Sequence, residues 1–298
     1  MRRALIDLGT NTFNLLIADV AAHYQIVHQE KNGVALGMGG INQQRIAPDA
    51  MERALQALHQ FKQRCDALHV ESIRAIGTSA LRDARNRDAF CALALQQTGI
   101  EIEVISGDQE AQLIYEGVRH THSFERASLI MDIGGGSTEL IAVEDGQPLH
   151  WKSFDIGVSR MAQSFQVSDP LSATDITQLE NYLEMHCLNF LQSVSCSDFI
   201  GASGSFETFF ELVHEQVYVA NGQAQEVSTS HFLEMLEYII RSTQAERDAN
   251  DWIIPIRKRM APFAAVKTRW MIRQLKPQRI FVSPYSLKEG ALLSTNSL

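Results

Sequence analysis

The sequence lacks any long apolar segment. Its longest apolar runs, such as residues 128–133, are strand-sized and fall far below the roughly 20 residues that a membrane-spanning helix needs. The N-terminal residues MRRALIDLGTN contain no signal-peptide hydrophobic region. The chain is therefore predicted to be cytoplasmic, with no membrane partner.

Cysteine is scarce, and its spacing fits neither disulfides nor zinc. The four cysteines, Cys65, Cys91, Cys187 and Cys196, form no CxxC pair and have no histidine at metal-ligand spacing. Isolated thiols in a reducing compartment pack as small hydrophobic side chains. We therefore expect reduced cysteines and no zinc site.

Positive charge is also in deficit. The chain has 26 Lys and Arg against 35 Asp and Glu, which gives a formal net charge of −9 at pH 7. Because nucleic-acid backbones are held by basic surfaces, this balance argues against a nucleic-acid partner. A small polyanion would still bind where N–H groups, a few cations and a divalent ion surround it. The densest basic run, from Arg257 to Arg279, is most simply interpreted as a solvated helix face.

No linker rich in Ser, Gly or Pro interrupts the 298 residues, of which 45% are hydrophobic. A chain of this length can bury two cores, so it predicts two domains joined by a tight hinge. We expect that hinge near residues 120–127 and again near the C-terminus.

The most informative feature is a repeat. Residues 6–20, IDLGTNTFNLLIADV, recur 125 residues later as MDIGGGSTELIAVED, and GTSA at 77–80 recurs 124 residues later as GASG. Apolar β-rich segments flank both loops, and amphipathic helices and further strands follow in each half. This pattern predicts a duplicated α/β domain with mixed sheets covered by helices.

Each copy begins with a loop suited to phosphate. Glycines let the backbone approach an anion, and Thr and Ser hydroxyls add hydrogen-bond donors. The acid that precedes each loop, Asp7 or Asp132, could hold a magnesium ion or its waters beside the phosphate. The alternative is a β-hairpin whose glycines serve only the geometry of the turn.

Five motifs then carry a family resemblance. They are DLGTNTF at 7–13, GTSALRD at 77–83, EVISGDQEAQLIYEGV at 103–118, DIGGGSTEL at 132–140 and VSPYSLKEGAL at 282–292. In this order they resemble the exopolyphosphatase and guanosine pentaphosphate phosphohydrolase family. The first and fourth motifs alone indicate only the wider actin-like superfamily, whereas the second and third are specific to the family.

The resemblance implies the fold and the domain boundaries. It implies duplicated ribonuclease H-like (actin-like) domains with mixed β-sheets and an interdomain cleft. The domains would span residues 1–122 and 123–284, and a C-terminal helix near 285–298 would pack back on the first domain.

The resemblance also implies the site residues. Glu110 matches the family's catalytic glutamate, a general base for water, and Arg82 matches an arginine that contacts phosphate. Asp132 and Glu139 match an acidic pair that would bind Mg²⁺. The residues that would cradle the phosphate chain are Asp7, Gly9, Thr10, Asn11, Thr12, Gly134, Gly135, Gly136, Ser137 and Thr138.

The residues alone leave simpler alternatives open for both catalytic candidates. Glu110 could complement the dipole at the start of a helix. Arg82 could form a surface ion pair with Asp83 or Asp88.

The implied activity is hydrolysis of the terminal phosphate of inorganic polyphosphate or guanosine pentaphosphate. The sequence departs from the family at Asn14, Ala35 and Gln112, where cationic or polar side chains are common. It ends at Leu298, without the helical domains that hold long polyphosphate in larger members. We therefore expect a short polyphosphate or guanosine pentaphosphate as substrate, and a homodimer would lengthen the groove.

Two other functions fit parts of the pattern. The missing cations favour a phosphate or nucleotide sensor with the same fold and only vestigial turnover. An ATP-dependent kinase of the superfamily would need an adenosine-binding segment, and GASGSFETF at 201–209 occupies that position without identifying the ligand.

Overall fold

The structure, a computed structural model, describes residues 1–20, 24–219 and 222–294. These residues form two mixed β-sheets with helices on their faces. Among them, no helix is both long and apolar enough to cross a membrane.

The first sheet contains β1 (Arg2–Leu8), β2 (Phe13–Val20), β3 (Tyr24–Asn32), β4 (Ser72–Gly77) and β5 (Ile102–Val104). Its strand order is β3-β2-β1-β4-β5. Strand β2 runs antiparallel to both neighbours, whereas β1, β4 and β5 are parallel.

The second sheet contains β6 (Ser128–Ile133), β7 (Thr138–Glu144), β8 (Gln147–Phe154), β9 (Asp198–Ala202), β10 (Gln225–Val227) and β11 (Arg279–Val282). Its order is β10-β11-β9-β6-β7-β8. From β8 to β11 this sheet repeats the order and directions of the first, and β10 adds an antiparallel edge. The predicted fold class, duplicated ribonuclease H-like domains with mixed sheets, is therefore confirmed.

The helices are α1 (Pro48–Ala67), α2 (Ser79–Asp83), α3 (Arg87–Thr98), α4 (Gly107–Val118), α5 (Val158–Ser164), α6 (Ala173–Gln192), α7 (Gly204–His214), α8 (Thr229–Arg241), α9 (Gln244–Ala249), α10 (Pro255–Lys258), α11 (Ala261–Leu275) and α12 (Leu287–Leu293). Local sequence explains several of their ends. Pro48 starts α1, capping boxes at Ser106 and Ser172 start α4 and α6, and Gly99 ends α3 with a φ of 71°.

Helices α4 and α12 are exchanged between the two halves. Helix α4 follows the first sheet but packs on β7 and β8, whereas α12 follows the second sheet and packs on β1 and β2. The two helices cross in direct backbone contact, because a Cβ on Gly290 would lie only 1.8 Å from the Leu113 carbonyl oxygen. Residues from both sheets and both helices form one apolar cluster between the halves. The domain boundaries at 122 and 284 stay predictions, and 295–298 of the predicted last helix lie outside the described residues.

The basic run near the C-terminus is not one solvated face. Lys267 is fully buried and Arg269 is 5% exposed, both on α11, whose middle is enclosed by α6, α8 and the second sheet. Arg257 lies at the interdomain cleft. The expectation of a solvated helix face is therefore wrong for these three side chains.

Candidate active site

The two glycine-containing loops meet in a cleft between the sheets. The first loop joins β1 to β2 and the second joins β6 to β7, so both lie at the same end of their sheets. The cleft has a cavity volume of about 180 Å³. Of the predicted site residues, those that line it are Asp7, Gly9, Thr10, Asn11, Thr12, Glu110, Asp132, Gly134, Gly135, Gly136 and Ser137.

The first loop has its carbonyl groups tied back. The N–H of Gly37 donates to the Thr10 carbonyl at 2.9 Å, and the N–H of Ala35 donates to the Asn11 carbonyl at 2.8 Å. Gly9 donates across the turn to Thr12 at 3.2 Å. The N–H groups of Thr10, Asn11 and Thr12 donate no hydrogen bond to any described residue.

The second loop repeats this arrangement. The start of α5 supplies the donors, with Ser159 N–H on the Gly135 carbonyl at 2.8 Å and Gly157 N–H on the Gly136 carbonyl at 3.2 Å. Within the described part of the chain, the N–H groups of Gly135, Gly136 and Ser137 donate no hydrogen bond. Two sets of free N–H groups therefore line one cleft, which is the arrangement that binds phosphate oxygens.

Close contact between the loops explains the second loop's glycines. A Cβ on Gly135 would lie 2.8 Å from Asn11 Nδ2, and a Cβ on Gly136 would lie 2.4 Å from Ser79 Oγ and 2.8 Å from Thr10 Oγ1. None of the loop glycines has a positive φ. Gly135 and Gly136 therefore do more than serve turn geometry, whereas a Cβ on Gly9 or Gly134 would approach only the backbone of its own turn, at Thr12 or Ser137.

An acidic pair stands beside the second loop. Asp132 on β6 lies directly opposite Glu139 on β7, and both are buried. Ser286 Oγ donates to Asp132 Oδ2, and Ser153 Oγ donates to Glu139 Oε1 at 2.6 Å. Each carboxylate is thus held by a hydroxyl.

The equivalent pair beside the first loop is only half acidic. Asp7 lies opposite Asn14, whose Nδ2 donates to Asp7 Oδ2 at 2.9 Å. The side-chain amide of Asn14 therefore holds the carboxylate of Asp7.

Burial raises the pKa of four acids in and directly behind the cleft. It raises the pKa of Asp7 to about 6 against the hydrogen bond from Asn14, and it raises the pKa of Asp132. For Glu139, burial and the charge of Asp132 raise the pKa to about 7. Burial and the charge of Glu139 raise the pKa of Glu110 well above its usual range, although Arg82 opposes them. A cation that enters this cleft would relieve the mutual repulsion of these carboxylates.

The two predicted catalytic residues contact each other. The capping box of Ser106 and Gln109 fixes the start of α4, and it places Glu110 in the first turn with 7% exposure. Arg82 Nη1 on α2 lies 2.7 Å from Glu110 Oε2, whereas its Nε is 4.0 Å from Asp83. Arg82 thus pairs with the candidate base rather than with a surface acid.

Three predicted site residues do not line the cleft. Arg82 and Glu139 are set back from it, and the Thr138 hydroxyl accepts a hydrogen bond from Lys267 at 2.8 Å. The predicted cradle is therefore one residue shorter at its end, because Ser137 is the last residue of the second loop that reaches the cleft.

Several cleft residues were not predicted, among them two serines and three cations. Ser79 and Ser203 occupy equivalent places in GTSA and GASG, so the second repeat was the signal that would have identified them. Lys31, Arg257 and Lys288 also line the cleft. Arg257 starts the basic run that was expected to be solvated, whereas Lys31 and Lys288 are isolated basic residues that carry no local signal in the sequence.

Two of these cations share one acid. Lys31 Nζ donates to Glu207 Oε2 at 2.7 Å, and Arg257 Nη2 lies 3.6 Å from the same oxygen. Burial opposes ionisation of Glu207, but Lys31, Lys288 and Arg257 lower its pKa to about 2. The cleft therefore holds three basic side chains around one ionised acid.

Comparisons with known proteins agree with the motifs. The model of the Ppx/GppA phosphatase family matches residues 16–297. A guanosine-5'-triphosphate,3'-diphosphate pyrophosphatase of Pseudoalteromonas atlantica is 27% identical over 293 residues, which cover 97% of this chain and 57% of the relative. The chain thus spans little more than half of that relative's length.

Solved structures agree as well. An exopolyphosphatase from Cytophaga hutchinsonii superposes with a TM-score of 0.94 at 34% identity, over 98% of this chain and 96% of that one. The PPX-GPPA enzyme of Aquifex aeolicus, 23% identical, has the same fold with a TM-score of 0.82 over 98% of each chain.

Proposed function

The chain belongs to the Ppx/GppA phosphatase family, and from this premise we propose that it is a phosphohydrolase. It would release the terminal phosphate of inorganic polyphosphate or of guanosine pentaphosphate by attack of water. The observation that supports this proposal most strongly concerns the two loops. Six of their residues, three from each loop, line one cleft together with Glu110, and their N–H groups donate no hydrogen bond within the described part of the chain.

Magnesium is the proposed cofactor. No group of three or more His, Cys, Asp or Glu within the described ranges could hold a metal by itself. Mg²⁺ does not need such a cage, because it commonly binds one or two carboxylates and completes its shell with water and substrate phosphates. Asp132 and Glu139 fit this role, directly or through water, and the bound ion would supply positive charge to phosphate oxygens.

The chain's own residues supply binding and proton transfer. The loop N–H groups bind the terminal phosphate and orient it for in-line attack. Glu110 accepts a proton from the attacking water, for which it must be ionised. Arg82 Nη1, 2.7 Å from Glu110 Oε2, favours that ionised form.

One observation favours the sensor as a second candidate. The Arg82–Glu110 ion pair occupies the base, and Ser159 Oγ donates to Asn11 Oδ1 at 2.5 Å across the cleft. A chain that kept these contacts with ligand bound would bind phosphate without hydrolysing it.

A panel of candidate substrates tests the proposal. Phosphate release would be measured with magnesium from polyphosphates of several lengths, guanosine pentaphosphate, pyrophosphate and ATP, with Glu110→Gln as the blank. We expect release from short polyphosphate or guanosine pentaphosphate. Binding without release would favour the sensor, and transfer from ATP to an acceptor alone would contradict the phosphohydrolase. Gel filtration would test the proposed homodimer, and fractionation would test the cytoplasmic location.

A further inference from the structure

A lysine is buried behind the second loop. Lys267, on α11, has no exposed surface and does not line the cleft. Its Nζ donates to Thr138 Oγ1 at 2.8 Å and to the Ile156 carbonyl. No carboxylate of the described residues forms an ion pair with it, so this ammonium is satisfied by neutral acceptors alone.

Burial of this lysine lowers the stability of the folded protein. Burying an ammonium without an ion partner is unfavourable, and an apolar side chain of similar length would fill the same space. Burial lowers the pKa of Lys267 to about 7, which reflects the same cost. A residue that is costly for folding calls for a role in function.

The two acceptors of Lys267 lie at the two segments that hold the second loop. Thr138 directly follows Ser137, the last loop residue. Ile156 directly precedes Gly157, whose N–H donates to the Gly136 carbonyl at 3.2 Å. One ammonium therefore ties the end of the loop to the segment that holds its carbonyls back.

At the equivalent position of the first loop, an apolar side chain replaces the hydroxyl of this tie. Phe13 pairs with Leu8 as Thr138 pairs with Ile133, so Phe13 occupies the position of Thr138. Its buried ring packs in the apolar core of the first domain. The polar tie is a property of the second loop, next to the acidic pair.

We propose that Lys267 is a positioning residue for the second phosphate loop. Through its hydrogen bonds to Thr138 and Ile156 it fixes the positions of the N–H groups of Gly135, Gly136 and Ser137. It acts on phosphate binding without touching the substrate. This inference rests on the proposed function, because it takes the second loop as a phosphate site.

The test compares Lys267→Met with Arg269→Met. Arg269 is a matched control, because it lies on the same helix and is nearly buried, but it bonds Glu180 and Glu237 at 2.8 Å. Each variant would be titrated with tripolyphosphate by calorimetry and assayed for KM, kcat and thermal midpoint.

Opposite patterns are expected from the two variants. Lys267→Met should raise Kd and KM by about tenfold, with a smaller fall in kcat, because the loop binds ground state and transition state alike. Its thermal midpoint should match or exceed that of the wild type. Arg269→Met should lower the midpoint and leave Kd unchanged. Parallel losses in both variants, or an unchanged Kd in Lys267→Met, would overturn the proposal.

A second variant guards against misfolding of the first. Thr138→Val keeps the shape and Lys267 but removes one acceptor, and it should raise Kd by about threefold. An unchanged Kd in a folded Thr138→Val protein would also overturn the role of the tie.

The wild type separates this inference from the proposed function. Binding of tripolyphosphate without turnover would contradict the phosphohydrolase but leave the Lys267 comparison decisive. Normal turnover with no effect of Lys267→Met on Kd would contradict the inference alone. Absence of any binding to the wild type would overturn both.

Discussion

The two phosphate loops are built alike, but the residues beside them differ. In both loops the carbonyl groups accept hydrogen bonds from neighbouring segments, and three N–H groups donate none to any residue that the structure describes. Beside the first loop, Asp7 faces an amide, Asn14, whereas beside the second, Asp132 faces a second acid, Glu139. Duplication therefore preserved the backbone arrangement of the two loops and left the carboxylates beside them unequal.

The exchanged helices α4 and α12 also differ at their fourth residue. Glu110 is the fourth residue of α4, and the fourth residue of α12 is Gly290. A side chain on Gly290 would collide with the Leu113 carbonyl, so no acid could stand there. One side of the cleft thus supplies a candidate base, and the acidic pair of the second loop supplies the candidate metal site.

The largest expected effect removes the base. Glu110→Gln should keep the fold and tripolyphosphate binding while lowering kcat by at least about a hundredfold, because an amide cannot accept the proton of water. Steady-state kinetics together with calorimetry would measure both. Near-normal turnover would remove Glu110 from the mechanism. Neither exchanged helix would then supply the base.

The next effect separates the two aspartates. Asp132→Asn should raise the magnesium concentration for half-maximal activity by at least about tenfold, since it removes a proposed ligand. Asp7→Asn, the matched change in the first loop, should alter it far less. Magnesium titrations of phosphate release would show this, and equal shifts would place the metal between both loops.

A smaller effect concerns the contact between the loops. The methyl group of Gly136→Ala would collide with Ser79 and Thr10, and such overpacking typically costs about 1–3 kcal/mol of unfolding free energy. Gly134→Ala, whose nearest atom would be the Ser137 carbonyl oxygen at 3.1 Å, should cost less. Denaturant unfolding would compare them. Equal costs would mean that the loops do not depend on this contact.

The smallest effect is a pH dependence of stability. Glu139 has a native pKa of about 7 against 4.5 for the ordinary side chain, so the native state binds the extra proton between these values. Stability of metal-free protein should therefore fall as pH rises through this window, by on the order of 1 kcal/mol per pH unit. Glu139→Gln should reduce this slope up to about pH 7, whereas Asp7→Asn should act only up to about pH 6. Thermal midpoints measured against pH in EDTA would test this prediction. If Glu139→Gln left the slope of stability against pH unchanged, the raised pKa of Glu139 would be contradicted.

Local sequence predicted the elements but not the long-range partners. The repeat predicted the paired strands and both loops, because alternating apolar residues and glycine turns are local signals in the sequence. The burial of Lys267 and Arg269 could not be predicted, since basic residues usually lie at the surface and their partners are far away in sequence.

Tertiary packing also decided which predicted residues reach the cleft. Thr138 follows Ser137 in the motif, but strand alternation turns its hydroxyl toward Lys267. Arg82 was expected to contact phosphate or to pair with a surface acid. It forms an ion pair instead with Glu110, 28 residues away in the sequence. The loops themselves were predictable, whereas the contacts behind them depend on the whole fold.

We infer that the acid beside the second loop cannot be replaced by one beside the first. Exchange of Asn14 and Glu139 is the most direct test of this claim. Phosphate release from tripolyphosphate would be measured for Glu139→Asn and for the double variant Asn14→Glu/Glu139→Asn, with tripolyphosphate binding and thermal midpoints as controls. We predict that the double variant, although folded and able to bind, releases phosphate no faster than Glu139→Asn, because the acid then lies beside the wrong loop. Recovery toward wild-type release would show that the two loops are interchangeable and would contradict the account.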